Sequence, residues 1–211
     1  MAAFAVFLLL TVRRGGLAKA ADKPSLMTIS TSRLLLRPIR VADSETIWPH
    51  VSDPEISRYM SWNPHRSIEE TRIFIADVER RALEGGAFTW AIVERESGRI
   101  IGLVSLIAVV RTHRALRYDK AELAYWIGRP YQGRGFATEA CRAIIQYAFA
   151  NLSLHKITVA HDLLNDASGK LISRLGFREI GIEREHFQKN GRWVDHKIYE
   201  LLESEWQSND R

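Results

Sequence analysis

The sequence predicts an α/β sandwich built on one mixed sheet. Two observations carry that expectation. Short apolar runs bounded by turn residues alternate with two amphipathic stretches of helical period, and the middle of the chain reads strand, glycine turn, helix, strand. At 211 residues the chain suits one domain with a substantial core rather than two.

The elements follow in order. Thr31 to Ile39 reads as a first strand closed near Pro38. Asp43 is placed to cap a short helix through Trp48, before a segment punctuated by Pro49, Pro54 and Pro64. Ser67 with Glu70 forms a capping box, and the helix it opens should run to about Leu83 and stop at Gly85-Gly86. Phe88–Val93 and Ile100–Val109, joined at Glu96-Ser97-Gly98, read as a hairpin. A basic loop carrying Arg111, His113, Arg114 and Arg117 precedes a strand over Glu122–Ile127. Gly128–Gly135 is a turn, and a helix follows over Phe136–Ala150 with Ala137, Cys141, Ile144, Ala148 and Phe149 on one face. Lys156–Ala160 is a strand, and Asn165–Arg174 is a helix stopped by Gly176. Strands near Arg178–Ile182 and His196–Leu202 close the pattern.

Composition excludes several classes. Residues 1–26 carry a net charge of +3 out of the chain's +5, so the remainder is only +2. That argues against a nucleic-acid binder, which concentrates basic charge on one face. The single Cys141 allows no intrachain disulfide and no cysteine-rich metal site, and suits a reducing cytoplasm. Positions 50, 65, 113, 155, 161, 186 and 196 hold the histidines, without metal-ligand spacing; most are expected at the surface or at caps. No apolar run reaches the roughly 18 residues of a membrane span. Residues 1–26 are read as an extension outside the domain of 27–211. The apolar stretch Ala2–Val12 is followed, not preceded, by Arg13 and Arg14, which favours a start called too early, with Met27 the true start, over a weak signal-like segment.

The chemistry sits in Gln132-Gly133-Arg134-Gly135-Phe136-Ala137. The first amides of a helix have no partner within it, glycine lets the backbone close round an anion, and the helix dipole favours negative charge there. This is a phosphate or pyrophosphate cradle; an ordinary tight turn is the plainer alternative. A Walker A loop would place Lys and then Ser or Thr after Gly133, where Arg134 and Gly135 stand. A dinucleotide fingerprint would place Gly or Ala where Thr138 stands.

Gln132-x-x-Gly135-x-Ala137 resembles the Q/R-x-x-G-x-G/A motif of GNAT acetyltransferases, between the expected strand and helix. Asn165-Asp166-Ala167-Ser168 and then Leu175-Gly176-Phe177 is similar to that family's second cofactor-side helix. Arg33-Leu34-Leu35-Leu36-Arg37-Pro38, and Gly191-Arg192-Trp193-Val194-Asp195 through Trp206, resemble the branch that acetylates ribosomal-protein N-termini. The resemblance covers about residues 31–206. It implies a mostly antiparallel sheet flanked by helices with a splayed central strand pair, acetyl-coenzyme A as co-substrate, and no metal.

The resemblance also assigns residues. Amides of Gly133, Arg134, Gly135, Phe136, Ala137 and Thr138, with Gln132, should hold the pyrophosphate. The strand Tyr125-Trp126-Ile127 should pair with the pantetheine arm and offer N–H groups to the oxyanion. Asn165 should contact the pantetheine. Ser168 matches the position of a serine near the sulfur in that branch, as proton donor to the thiolate; a local backbone bond is its alternative. Glu122 is the candidate base, directly or through water, with a paired strand carboxylate as its alternative. An α-amine of pKa about 8 is about a tenth neutral at pH 7, whereas a lysine near about 10.4 is neutral at under about 0.1%. An N-terminal acceptor therefore asks less of the base. Cys141 is read as a buried structural thiol. Tyr59, Trp62 and Trp90 are candidates for walls of the acceptor site, with core packing as the alternative. The expectation is a cytoplasmic protein N-terminal acetyltransferase, monomer or dimer, without sequence-specific nucleic-acid binding. The rivals are a small-amine acetyltransferase (polyamine, amino acid derivative or aminoglycoside) and a non-catalytic acyl-CoA sensor.

Overall fold

A computed structural model describes residues 26–209. The reading of residues 1–26 as an extension falls, but for Leu26, outside them. In chain order the elements are β1 (Ile29–Ser30), β2 (Leu34–Pro38), α1 (Ser44–Val51), α2 (Pro54–Ser57), α3 (Ile68–Glu84), β3 (Phe88–Glu94), β4 (Ile100–His113) and β5 (Leu116–Ile127). Then come α4 (Phe136–Ala150), β6 (Lys156–Asp162), α5 (Asp166–Arg174), β7 (Arg178–Lys189), β8 (Arg192–Leu202) and α6 (Glu203–Asn209). Eight strands form one sheet in the order β1-β2-β3-β4-β5-β6-β8-β7. Every neighbouring pair is antiparallel except β5 and β6.

Alternation along the strands divides the core in two. On one face Leu123, Ile127, Ile157, Val159, Tyr199 and Leu201 pack with Phe136, Cys141, Ile144 and Ala148 of α4 and Ile172 of α5. On the other, Leu103 and Trp126 pack with Ile47 and Val51 of α1 and Ile75 of α3. Alternation therefore puts Glu122 and Ala124 on the face of α1–α3.

The helix signals act as expected. Ser67 Oγ accepts from Glu70 N–H at 3.2 Å. Glu70 Oε2 reaches Arg66 N–H at 2.7 Å, one residue before the cap. Gly85 ends α3 at φ +74°. Asn165, expected only as a pantetheine contact, is found to cap α5, its Oδ1 accepting from Ser168 N–H at 3.1 Å.

Four expectations need correction. Asp43 does precede α1, but its carboxylate is claimed by Arg37 at 2.7 and 2.8 Å and gives no side-chain cap bond. The strand expected over Thr31–Ile39 is β2 and begins only at Leu34, because Thr31 N–H turns back onto Leu34 O at 2.9 Å; the short β1 precedes it. The basic loop is the end of a long hairpin. Arg111 and His113 belong to β4, Arg117 belongs to β5, and Arg114-Ala115 make a two-residue turn at φ +49° and +64°. Asp119 pairs with both Arg111 and Arg117, and that pairing made the hairpin hard to see in a polar sequence. The last two strands likewise run on to Lys189 and begin at Arg192, joined through Asn190-Gly191, also at positive φ.

Candidate functional site

The parallel pair sets the site. β5 and β6 are in register only at Lys120↔Lys156, Ala121↔Ile157 and Glu122↔Thr158. Past that point β5 continues beside β4 as far as Ile127, while β6 continues beside β8 as far as Asp162. The two strands thus part beyond Glu122, and the β6-facing edge of Leu123–Ile127 borders the wedge between them. Such an edge offers N–H and C=O groups to an extended amide-bearing ligand. A bulge in β4 adds to the divergence. Its register shifts after Ile107, the partner of Glu122, and Ala108 sits at φ +48°.

The glycine turn and α4 stand at the mouth of this wedge. Gln132 Nε2 donates to Ile127 O at 2.8 Å, so the side chain braces the turn and does not face a ligand. The Arg134 side chain pairs with Glu94 at 3.0 Å and lies over the Phe136 ring. Phe136 itself is buried in the core. What these residues leave for an anion is backbone. Gly135 caps α4 at φ +80° with no side-chain bond to the first turn, a conformation that glycine adopts without strain. Behind it, Glu139 accepts from Thr31 Oγ1 at 2.6 Å, Ser32 Oγ at 3.0 Å, Arg33 N–H at 2.9 Å and Arg33 Nε at 2.6 Å. Burial would raise its carboxyl, but these donors hold it below the ordinary carboxylate range. The same Arg33 donates to Arg134 O at 2.9 Å and fixes the turn from outside. The residues present therefore fit a coenzyme A pyrophosphate, through oriented amides.

On the face of α4 and α5, Tyr125 OH lies 2.8 Å from Ser168 Oγ. Burial, then the neighbouring Cys141, push the phenol well above its usual range, against the weaker pull of Ser168. It stays protonated and can donate. Sequence reasoning used only the Tyr125 backbone; its hydroxyl was not anticipated, although the period-2 pattern of β5 places it beside the α5 cap. The Asn165 Oδ1 is taken by the Ser168 N–H. Only its Nδ2 is left for a pantetheine. Cys141 is fully buried and its thiol is pushed far up by burial, as befits a core residue.

On the opposite face Glu122 is half-buried. Burial raises its carboxyl; the nearby His186 opposes this and Glu183 adds to it. Asp162, His196 and Glu183 lie in register across β6, β8 and β7 on that same face. Beyond them a cavity of about 600 Å³ opens between the residues around α2 and the β7–β8 tip, lined by Tyr59, Asp162, Phe187, Lys189, Trp193 and Asp195 among others. Lys189 Nζ reaches across to the carbonyls of Ser57, Met60 at 2.6 Å and Trp62 at 3.1 Å, and binds the hairpin tip to the far wall.

Of the proposed aromatic walls, Tyr59 lines this cavity, Trp62 packs at its edge against the second core cluster, and Trp90 does neither. Trp90 is fully buried in the first cluster and donates Nε1–H to Met27 O at 2.9 Å. The histidines are also more varied than expected: His113, His155 and His186 are exposed, but His161 is buried against Tyr199. Among the described residues no group of three or more His, Cys, Asp or Glu side chains is disposed to hold a metal, and no helix is long and apolar enough to cross a membrane.

Comparison with known proteins agrees with this geometry. A family model described as Acetyltransferase (GNAT) domain matches residues 33–178. The chain is 31% identical over 179 residues to the N-acetyltransferase p20 of Bacillus licheniformis, covering 85% of this chain and 98% of that protein. It is 31% identical over 123 residues to the [Ribosomal protein uS5]-alanine N-acetyltransferase of Escherichia coli, 58% of this chain and 61% of that one. The crystal structure of spermidine N-acetyltransferase from Vibrio cholerae in complex with CoA and spermine is 28% identical, with a TM-score of 0.72 over 84% of this chain and 99% of that chain. The strand wedge, the open amides at α4 and these matches together make the chain a member of the GNAT family, an acetyl-coenzyme A-dependent N-acetyltransferase.

Proposed function

We propose that the acceptor is the α-amine of a protein N-terminus, with ribosomal proteins the leading class, acting in the cytoplasm. The observation that carries this reading is the charge of the acceptor-side cavity. Asp162 and Asp195 are its carboxylates, set against Arg58, Lys189 and Arg192. A small polycation would meet as much repulsion as attraction there. A peptide brings a backbone that both signs can address.

In this reading the residues divide by face. The α4 amides from Gly133 to Thr138 hold the pyrophosphate, and the edge of Tyr125, Trp126 and Ile127 pairs with the pantetheine. That edge presents its N–H groups to the developing oxyanion. Glu122, half-buried at the point where the strands part, draws the proton from the acceptor ammonium, and the free amine attacks the thioester carbonyl. The C–S bond breaks as the amide forms. Ser168, backed by the protonated Tyr125, gives a proton to the departing thiolate and is reprotonated, through water, by the second proton that the nitrogen sheds as the amide forms.

A small-amine reading has its own support. The spermidine acetyltransferase match covers 84% of this chain, and Glu122, Glu183 and Asp162 gather on one face although no acidic run appears in the sequence. Incubation with labelled acetyl-coenzyme A, the proteins of a ribosomal extract and a polyamine panel separates the two. Label on protein N-termini, located by mass spectrometry, supports the proposal. Label on spermidine with bare N-termini overturns it in favour of the second reading. Coenzyme binding without label on any amine points to an acyl-CoA sensor.

A further inference from the structure

The fold gathers the domain's positive charge on one unsupported hairpin. β3 pairs with β4 only as far as Leu106, and β6 pairs with β5 only from Lys120 onward. Val109 N–H still reaches Gly86 O at 3.0 Å, and Asp119 O still accepts from His155 N–H at 2.7 Å. Between those two anchors, among the described residues, β4 and β5 have only each other as ladder partners. Residues 112–118 at the end of this arm are all exposed. Residues 107–120 carry Arg111, Arg114, Arg117 and Lys120 against Asp119, a net of +3. Residues 27–211 total +2, so everything else in the domain sums to −1. The total charge of the chain understates a basic patch that only the fold assembles.

Two features define what the arm can hold. Its cations are largely uncommitted. Asp119 is shared between Arg111 and Arg117, and both guanidinium groups stay open to solvent. Arg114, in the turn, and Lys120 have no carboxylate partner among the described residues. An aromatic ring also stands among these cations. Tyr118 is 38% exposed, with Lys120 Nζ 5.5 Å from its centroid and the His113 ring edge-on at 6.3 Å. Cations interleaved with an open π-face suit a chain of phosphates and bases. Besides Tyr118, the arm exposes one large apolar side chain, Leu116. Two such side chains are too little for the apolar centre of a protein interface, so the arm fits a polyanion rather than a folded protein.

We propose that the β4–β5 arm binds single-stranded or looped RNA through its phosphates, with Tyr118 stacking on a base. Binding of this kind reads backbone and base faces, not sequence. The choice of RNA over other polyanions rests on the reading of ribosomal proteins as acceptors, whose N-termini lie on an RNA-rich particle. The arm then holds the enzyme at the particle while the wedge acts on the amine.

The test is the fluorescence anisotropy of a labelled single-stranded RNA of about 10 nucleotides, titrated with the full chain over a range of salt. Each phosphate contact contributes about 0.7 to the slope of log K against log salt. Arg114→Gln and Lys120→Gln should each lower that slope by about 0.7 and weaken binding about 5-fold near about 0.1 M salt. Tyr118→Ala should weaken it about 5-fold or more with the slope unchanged. Differences from wild type are read, so the +3 of residues 1–26 cancels. Calorimetry with acetyl-coenzyme A reports that each variant is folded. All three should acetylate a free amine at the wild-type kcat/KM, but N-termini on intact ribosomal particles with a raised KM. RNA binding that the three substitutions leave unchanged overturns the proposal. So does equal affinity for heparin with no response to Tyr118→Ala, or binding to vesicles of anionic lipid in place of RNA. The anisotropy needs no acceptor. If RNA binds through the arm but label appears only on small amines, the acceptor reading has failed and the RNA site has not. Label on ribosomal N-termini with RNA binding indifferent to the arm sinks the RNA site alone.

Discussion

The two sides of the strand wedge are built from different material. On the proposed coenzyme side the groups left open to a ligand are backbone amides at one helix start, within a stretch of some six residues, braced by Gln132, Arg33 and Glu139. On the proposed acceptor side the cavity is walled by side chains gathered from far apart and held by Lys189, which spans about 130 residues to reach the carbonyls of Ser57, Met60 and Trp62. Backbone recognition reads the shape and charge common to every coenzyme A molecule and tolerates changes in the side chains around it. Side-chain recognition depends on the pairing of β7 with β8 and on where the segment after α2 is held. One side is therefore suited to a fixed co-substrate and the other to an acceptor that differs between relatives.

The comparison breaks most visibly at the point where the sides meet. Glu122→Gln keeps the size of the side chain and removes the proposed base. It should lower kcat/KM by about 10²-fold or more while leaving the affinity for acetyl-coenzyme A within about 2-fold. In the wild type the carboxyl is raised by burial, and only its ionised form can take a proton. The rate should therefore fall as pH drops through a midpoint above the ordinary glutamate range. A pH profile ending at the usual value of about 4.3 would separate Glu122 from the rate-limiting proton transfer.

Gly135→Val attacks the coenzyme side alone. A β-branched residue at φ +80° costs on the order of 1–3 kcal/mol, and the turn should relax by moving its amides. Acetyl-coenzyme A should bind about tenfold weaker or worse by calorimetry, with the acceptor KM little changed at saturating coenzyme.

The asymmetry also governs what could be read beforehand. The glycine turn and α4 were legible because their signals are local: glycine placement, a strand before the turn and an amphipathic helix after it. The capping residue Ser67 was legible for the same reason. The Arg114-Ala115 hairpin was not, since neither residue is a usual choice for positive φ and the flanking charges resemble a loop; their pairing to Asp119 exists only once the strands are side by side. Trp90 shows the limit for aromatics, as nothing in its neighbours separates a buried indole from a site wall. Nor does the sequence around 183–196 reveal that Glu183 and His196 share a row with Asp162, because strand order places β8 between β6 and β7.

On the acceptor side Lys189→Met tests whether the clamp shapes the cavity. Methionine keeps the length of the stem but cannot donate to the three carbonyls. The acceptor KM should rise about 5-fold with coenzyme affinity unchanged. Equal losses in both would mean that the hairpin supports the fold as a whole. In the wild type, burial keeps the Lys189 ammonium below its ordinary range, with Asp162 opposing. The clamp is therefore weaker at high pH, and the acceptor KM should climb there before coenzyme binding changes.

The smallest expected effect lies behind the cradle. Glu139 is held below its ordinary range by Thr31, Arg33 and Ser32, against the opposing effect of burial. A carboxyl lowered in the folded state stabilises it above its unfolded pKa, and that contribution is lost as pH falls through the folded value. Glu139→Gln should therefore lower the Tm by a few degrees at pH 7, roughly the effect of losing one charge-assisted hydrogen bond network, and by less at pH 3. Because Arg33 also holds the Arg134 carbonyl, coenzyme affinity should weaken by a small factor, about 2- to 3-fold, in step with the Tm. An affinity loss at pH 7 with no change in Tm would place Glu139 in direct contact with the coenzyme and end its reading as a brace.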